Sequence, residues 1–213
     1  MEESTSKEKI LKKVRKALIH KSEIDHSSVD FESELYITSE DELEFVFARE
    51  FTSINGNFFF CETPQDLGPT LNALIQEKQW EGVYCFEDKL KQTLQAQQVH
   101  FSENRNEMEQ VNVGITGCEF LIARTGSVMV SSKQEAGRRL PFYANYHIVI
   151  AYTSQLVFSV KEALKELKLK YGNAIPSMVS VITGPSRTAD IEKTLVQGAH
   201  GPKEIYVVLI DAK

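Results

Sequence analysis

Between positions 183 and 192 the chain sets Thr183, Gly184, Pro185, Ser186, Arg187, Thr188, Ala189, Asp190, Ile191 and Glu192 in a row, between two apolar segments. Turn formers, hydroxyls, a guanidinium and carboxylates together are the parts of a ligand loop. Residues 175–182 before it contain Met178-Val179-Ser180-Val181-Ile182, an apolar run with the length and β-branched content of a buried strand. Gly184 permits a tight turn, Pro185 fixes φ and offers no N–H, and Ser186 or Thr188 can cap a helix begun by Ala189, Asp190, Ile191 and Glu192. A strand, a glycine turn and a helix amino terminus aim free N–H groups at an anion, and Arg187 can pair two-pronged with a carboxylate or phosphate. The expectation is a small anionic ligand held by Gly184, Ser186, Arg187, Thr188 and Asp190. A well-capped connection without a ligand has the same composition.

Other polar groups extend this candidate site. Thr125-Gly126-Ser127 follows one apolar run and precedes another, so it reads either as a second ligand loop facing the same pocket or as a tight hairpin. His200, between Ala199 and Gly201, is the best acid–base candidate because small neighbours let a substrate approach its imidazole. Glu192 is the second, although a carboxylate in the first turn of a helix is favoured by the dipole whether or not it does chemistry. His147 opens an apolar strand and reads equally as a core histidine. No His or Cys spacing suggests a metal site.

Cysteine usage excludes a class of chemistry. Cys61, Cys85 and Cys118 are dispersed, with no C-x-x-C pair, whereas iron–sulfur clusters need grouped thiolates. Cys61 and Cys85 sit in apolar strand-like settings, and Cys118 has no adjacent base to activate it as a nucleophile. The expectation is no cofactor on this chain. Dispersed thiols and a start without a basic, then apolar, leader point to a cytoplasmic protein. No apolar run approaches the ~20 residues of a membrane span. A net charge of −6 argues against a nucleic-acid surface.

The elements that must position these residues alternate. Thr5 and Glu8 form a capping box ahead of Ile10, Leu11, Val14, Ala17 and Leu18 on one helical face, with Lys9, Lys12, Lys13 and Lys16 opposite. Residues 20–34 lose this periodicity, which divides the chain into an N-terminal helix and linker, 1–35, and an α/β domain, 36–213. Ser39 with Glu42 predicts a second capped helix, Thr63-Pro64 a third, and Ser159 with Glu162 another whose buried face carries Val160, Leu164, Leu167 and Tyr171. Strands are predicted at 58–61, 82–86, 99–101 and 147–151. Strands separated by helices of this length call for right-handed parallel crossovers and a layered α/β domain.

The 183–192 run, followed by Gly198-Ala199-His200-Gly201-Pro202-Lys203-Glu204, resembles the C-terminal signature of the lactate-utilization (LUD) domain family. Gly114-Ile115-Thr116-Gly117-Cys118-Glu119 and Thr125-Gly126-Ser127 resemble that family's other blocks, in the family's order. The resemblance implies the NagB/RpiA/CoA-transferase-like fold with a mainly parallel sheet. It further implies a component of a bacterial L-lactate oxidation complex, whose electrons pass through iron–sulfur oxidoreductase partner subunits. An independent acyl or formyl transferase, an ATP-dependent ligase of that fold, or a scaffold remain alternatives, and self-association stays open. The chain departs from the family pattern at Arg124, where many members carry an acid before the Thr-Gly pair. Arg124 then either removes that chemistry or joins Arg187 in holding the anion.

Overall fold

The computed structural model describes residues 5–19, 41–189, 195–198 and 200–211, in two compact units, 1–38 and 39–213. In the first unit, α1 (Ser6–Ile19) starts at the expected capping box: Thr5 N–H donates to Glu8 Oε2 at 2.9 Å, and Glu8 N–H donates back to Thr5 Oγ1 at 3.4 Å. None of its residues is buried.

The second unit opens with α2 (Leu43–Ser53), with Glu42 at its N-cap position but no side-chain cap bond, and β1 (Asn57–Cys61). Ser39, the cap expected for α2, lies outside the described residues. The helical entry anticipated at Thr63-Pro64 is a 3₁₀ turn, closed by a capping box between Thr63 and Asp66, that leads into α3 (Leu67–Glu77). Next come β2 (Val83–Cys85), α4 (Asp88–Ala96) and β3 (Val113–Thr116). Residues 99–101 form no strand; only a single bridge joins Ser102 to Tyr84. Then follow β4 (Phe120–Ile122), β5 (Ser127–Ser131), α5 (Leu140–Tyr143), β6 (Tyr146–Tyr152), β7 (Leu156–Val157), α6 (Val160–Tyr171) and β8 (Val179–Ile182). The chain ends in β9 (Arg187–Ala189), β10 (Leu195–Gln197) and β11 (Glu204–Ile210).

Five strands make the expected parallel sheet, in the order β1-β11-β6-β3-β2. Alternation along them fills two cores. Cys61, Ile115, Ile148, Ile150, Val208 and Ile210 face α3 and α4, while Val149, Ala151, Val207 and Leu209 face α2 and the second sheet. That second sheet, β7-β4-β5-β8, mixes antiparallel and parallel pairs and was not anticipated from the α/β rhythm. Ser159 caps α6 by accepting from Glu162 N–H at 3.3 Å, as expected, but of its predicted buried face only Leu167 is buried, Val160 and Tyr171 are half-buried and Leu164 is exposed, while Ala163, outside that prediction, is buried.

Ala189, expected to begin a helix, lies in a strand instead. Arg187–Ala189 is a strand paired antiparallel with Leu195–Gln197. Ser186 is held extended by its own N–H to Pro202 O (2.9 Å) and by Gly198 N–H to Ser186 O (3.0 Å), so its backbone is committed to the chain ahead of β11. Asp190 and Glu192 lie outside the described residues.

Candidate functional site

The two predicted loops do meet. Thr125 Oγ1 lies 2.8 Å from Ser127 Oγ, which lies 2.9 Å from Thr183 Oγ1, a chain of hydroxyls joining the turn after β4 to the turn after β8. Thr125-Gly126-Ser127 is at the same time the hairpin between β4 and β5, with Gly126 in the left-handed region at φ 55°. Gly126 and Gly184 have a common purpose. A Cβ on Gly126 would stand 2.3 Å from Phe51 N, and one on Gly184 2.7 Å from Ile54 O, so both let the carboxyl end of α2 press against the loops.

This neighbour changes the electrostatics of the loop. The expected helix amino terminus would have supplied N–H groups, whereas the helix end present here supplies carbonyls. Arg187 is exposed and donates from Nη2 to Ile54 O at 2.7 Å, so one arm of the guanidinium caps α2. Arg124 is half-buried, with its backbone N–H on Phe158 O, and His200 is exposed. The loops lie next to Ile54 and Pro202, ahead of β1 and β11. They follow strands of the second sheet but adjoin the amino ends of the parallel one.

The carboxyl edge of the parallel sheet carries a different set of groups. From adjacent strands, β2 runs on into α4 on one face while β3 runs on into β4 on the other. Such a divergence opens a crevice where ligands of open α/β sheets collect. A cavity of about 310 Å³ lies there, lined by Glu87, Lys89, Leu90 and Thr93 at the start of α4, Gly117 and Cys118 after β3, and Ile150, Tyr152 and Gln155 at the end of β6. A wider groove of about 740 Å³ lies between the start of α2 and Phe58, Phe60 and Leu156, and its wall is mainly apolar. Neither is lined by Thr125, Ser127, Ser186, Arg187, Thr188 or His200.

Glu87 is the chemical centre of the smaller cavity. It ends the extended segment after β2 and occupies the N-cap position of α4 without a side-chain cap bond. Its Oε1 instead accepts Gly117 N–H at 2.9 Å. A Cβ on Gly117 would stand 3.1 Å from Glu87 Oε2, so the absence of a side chain keeps that oxygen's surroundings open. Burial pushes the Glu87 carboxyl up from the usual range, the Gly117 amide opposes this, and the charges of Glu135 and Glu119 add to the rise. Gln155 fixes the opposite wall by donating from Nε2 to Cys118 O (2.7 Å) and accepting Tyr152 N–H (2.9 Å).

Behind the crevice Glu119 has a fully buried side chain that accepts from Ser131 Oγ (2.5 Å), Lys170 Nζ (2.7 Å) and Tyr171 OH (2.8 Å). Three donors satisfy a carboxylate that would otherwise be costly to bury. Burial, then the nearby carboxylates of Glu87 and Glu119, drives the Cys118 thiol upward, which holds it as a thiol. His147 is a core histidine: Thr116 Oγ1 donates to Gly117 O at 2.8 Å, so His147 Nε2 donates to Thr116 Oγ1 at 2.8 Å. Burial lowers its pKa to about 3, leaving the ring neutral.

Sequence reasoning missed Glu87, Lys89 and Gln155. The signal for Glu87 was available, since a carboxylate directly after a buried strand stands at the edge where ligands bind. Glu119 lay inside a block already singled out, but its partners Lys170 and Tyr171 are about fifty positions on.

The LUD domain family matches residues 46–210, and the chain belongs to that family. It is 38% identical over 112 residues to lactate utilization protein C of Geobacillus thermodenitrificans, and equally to that of Bacillus subtilis. Each of these matches takes in 51% of this chain and 47% of the relative, so the chain matches about half the length of these curated relatives. The uncharacterized protein YkgG of Escherichia coli is 35% identical over 113 residues, covering 52% of this chain and 49% of its own. Among solved structures, a DUF162 family protein from Deinococcus radiodurans superposes with a TM-score of 0.58 over 82% of this chain and 99% of that one, at 17% identity, and shares the fold.

Proposed function

We propose that this chain is a subunit of a bacterial L-lactate oxidation system that holds a small anionic ligand, binds no cofactor of its own, and relies on iron–sulfur oxidoreductase partners to carry the electrons. The observation that carries the reading is membership of the LUD domain family over residues 46–210, together with relatives that are named lactate utilization protein C. The thiols support the division of labour. All three cysteines are buried, and burial pushes each thiol up, that of Cys85 to about 12, whereas cluster ligation needs grouped thiolates. The test is to purify the lactate-oxidising assembly with and without this subunit and follow lactate-dependent reduction of an artificial acceptor. Loss of activity without the subunit and recovery on adding it back is expected; an unchanged rate counts against the role.

The carboxyl-edge crevice favours a second reading, in which chemistry occurs on this chain itself, as an acyl or formyl transferase or an ATP-dependent ligase of the same fold. Turnover by the isolated chain, with no partner present, would favour it over the subunit role.

A further inference from the structure

The crevice between α4 and the ends of β3 and β6 has a chemistry that narrows what it can hold. Its volume of about 310 Å³ lies at the low end for small-molecule pockets, so it suits a compact ligand. Its floor and one wall are apolar, from Ile150, Cys118 and Leu90. Besides the Cys118 thiol and the Tyr152 phenol, one basic and one carboxylic side chain line it: Lys89, exposed, and Glu87, whose Oε2 stands over the bare Cα of Gly117. A lone lysine without a glycine-rich cradle of N–H groups pairs with one carboxylate more readily than with a polyphosphate.

We propose that this crevice binds a short-chain hydroxy- or oxo-carboxylate, its carboxylate at Lys89, its hydroxyl or carbonyl oxygen at Glu87 Oε2, and its alkyl end against Ile150 and Leu90. The inference deepens the proposed handling of a small anion and rests on that reading, but it moves the ligand from the Arg187 loop to the opposite edge of the parallel sheet. Gly117 fixes Glu87 through its N–H and gives the ligand oxygen its room. Glu87 then exchanges a hydrogen bond with that oxygen in either protonation state: the neutral acid donates to a carbonyl, and the carboxylate accepts from a hydroxyl. Around Glu87 the charged neighbours are Lys89, Asp88 and Lys91 on α4, Glu135, and Glu119 with Lys170 behind the crevice.

The test is a titration of the full ¹⁵N-labelled chain with L-lactate and pyruvate, followed by backbone amide NMR, with propionate as the analogue lacking the second oxygen. Saturable shifts centred on Gly117 and the start of α4 are expected, with propionate binding about tenfold more weakly, the scale of one charge-assisted hydrogen bond. Lys89→Ala and Glu87→Ala should weaken pyruvate to a similar degree. Glu87→Gln keeps an acceptor for Gly117 N–H and a donor for the ligand, so it should bind pyruvate as the wild type does at low pH and lose the wild type's decline in pyruvate affinity as pH rises. Native thermal midpoints of the variants separate lost binding from lost folding. Shifts centred on Thr125, Ser127 and Arg187 would overturn the assignment, as would wild-type binding in both alanine variants or no saturable shift at all. A failed titration beside a growth defect on lactate when the gene is deleted would sink the crevice alone; binding with normal growth would sink the lactate role.

Discussion

Glu87 makes a prediction that needs no ligand. Its folded pKa is raised, so between the unfolded carboxylate value and the folded one the native state binds more protons than the unfolded chain. Its contribution is therefore fully present below about pH 4.3, the unfolded value, and is lost as pH rises through the folded value. Glu87→Gln removes the titration, so denaturant midpoints of the variant should gain on the wild type from pH 5 to pH 8. A constant difference between the two proteins across that range would mean that Glu87 is solvated and ionised throughout. At this scale the sequence was informative about residue type and poor about partners. Arg187 was recognised as the loop's charge, yet its use as a donor to Ile54 O depends on a helix more than a hundred positions earlier. Cys118 could be set aside from sequence alone, because no base adjoins it, and its burial agrees.

Among the elements, local signals were reliable where one segment settles the matter. The box at Thr5, the helix entry at Thr63-Pro64 and the cap at Ser159 all formed as read, since each is settled by residues about one turn apart. The failures are non-local. Ala189 was expected to start a helix because Pro185, Ser186 and Thr188 are good helix-entry residues, but pairing with Leu195–Gln197 and the Ser186 backbone bonds to Pro202 and Gly198 override that preference. The second sheet was hidden for the same reason, as its strands are short and, apart from the β4–β5 hairpin, pair across about 35 positions (β4 with β7) and about 50 (β5 with β8). The packing of α2 onto the loops yields a further prediction. Gly126→Ala places a Cβ into the backbone of Phe51 at φ 55° and should destabilise the domain by more than about 3 kcal/mol, measured by denaturant unfolding. Gly172→Ala, where φ is 53° and a Cβ would meet nothing within 4 Å, should cost only about 1 kcal/mol. Equal losses at the two sites would remove the argument that α2 docks through a bare glycine.

For the whole molecule, the parallel α/β architecture was legible from the spacing of apolar runs, and the LUD family was legible from the three blocks between residues 112 and 211. The placement of the carboxyl-edge crevice was not, because it depends on the two chain paths diverging from β2 and β3, which only the strand order reveals. Among the described residues no helix is long and apolar enough to cross a membrane. The N-terminal unit carries an amphipathic helix with Ile10, Leu11, Val14 and Leu18 exposed and lysines on the other face. Removing residues 1–38 should leave the thermal midpoint of the remaining domain within a few degrees of the full chain and weaken its co-purification with lactate-oxidising partners. A collapse of the midpoint would instead make that helix part of the fold.

The proposed role makes this LUD-family chain necessary for L-lactate oxidation. Consumption of L-lactate by a strain lacking the gene, measured directly in the medium, tests it most plainly. Consumption is expected to stop in that strain and to return with the wild-type gene. Undiminished consumption in the deletion strain, with no second LUD-domain gene present to substitute, would contradict it.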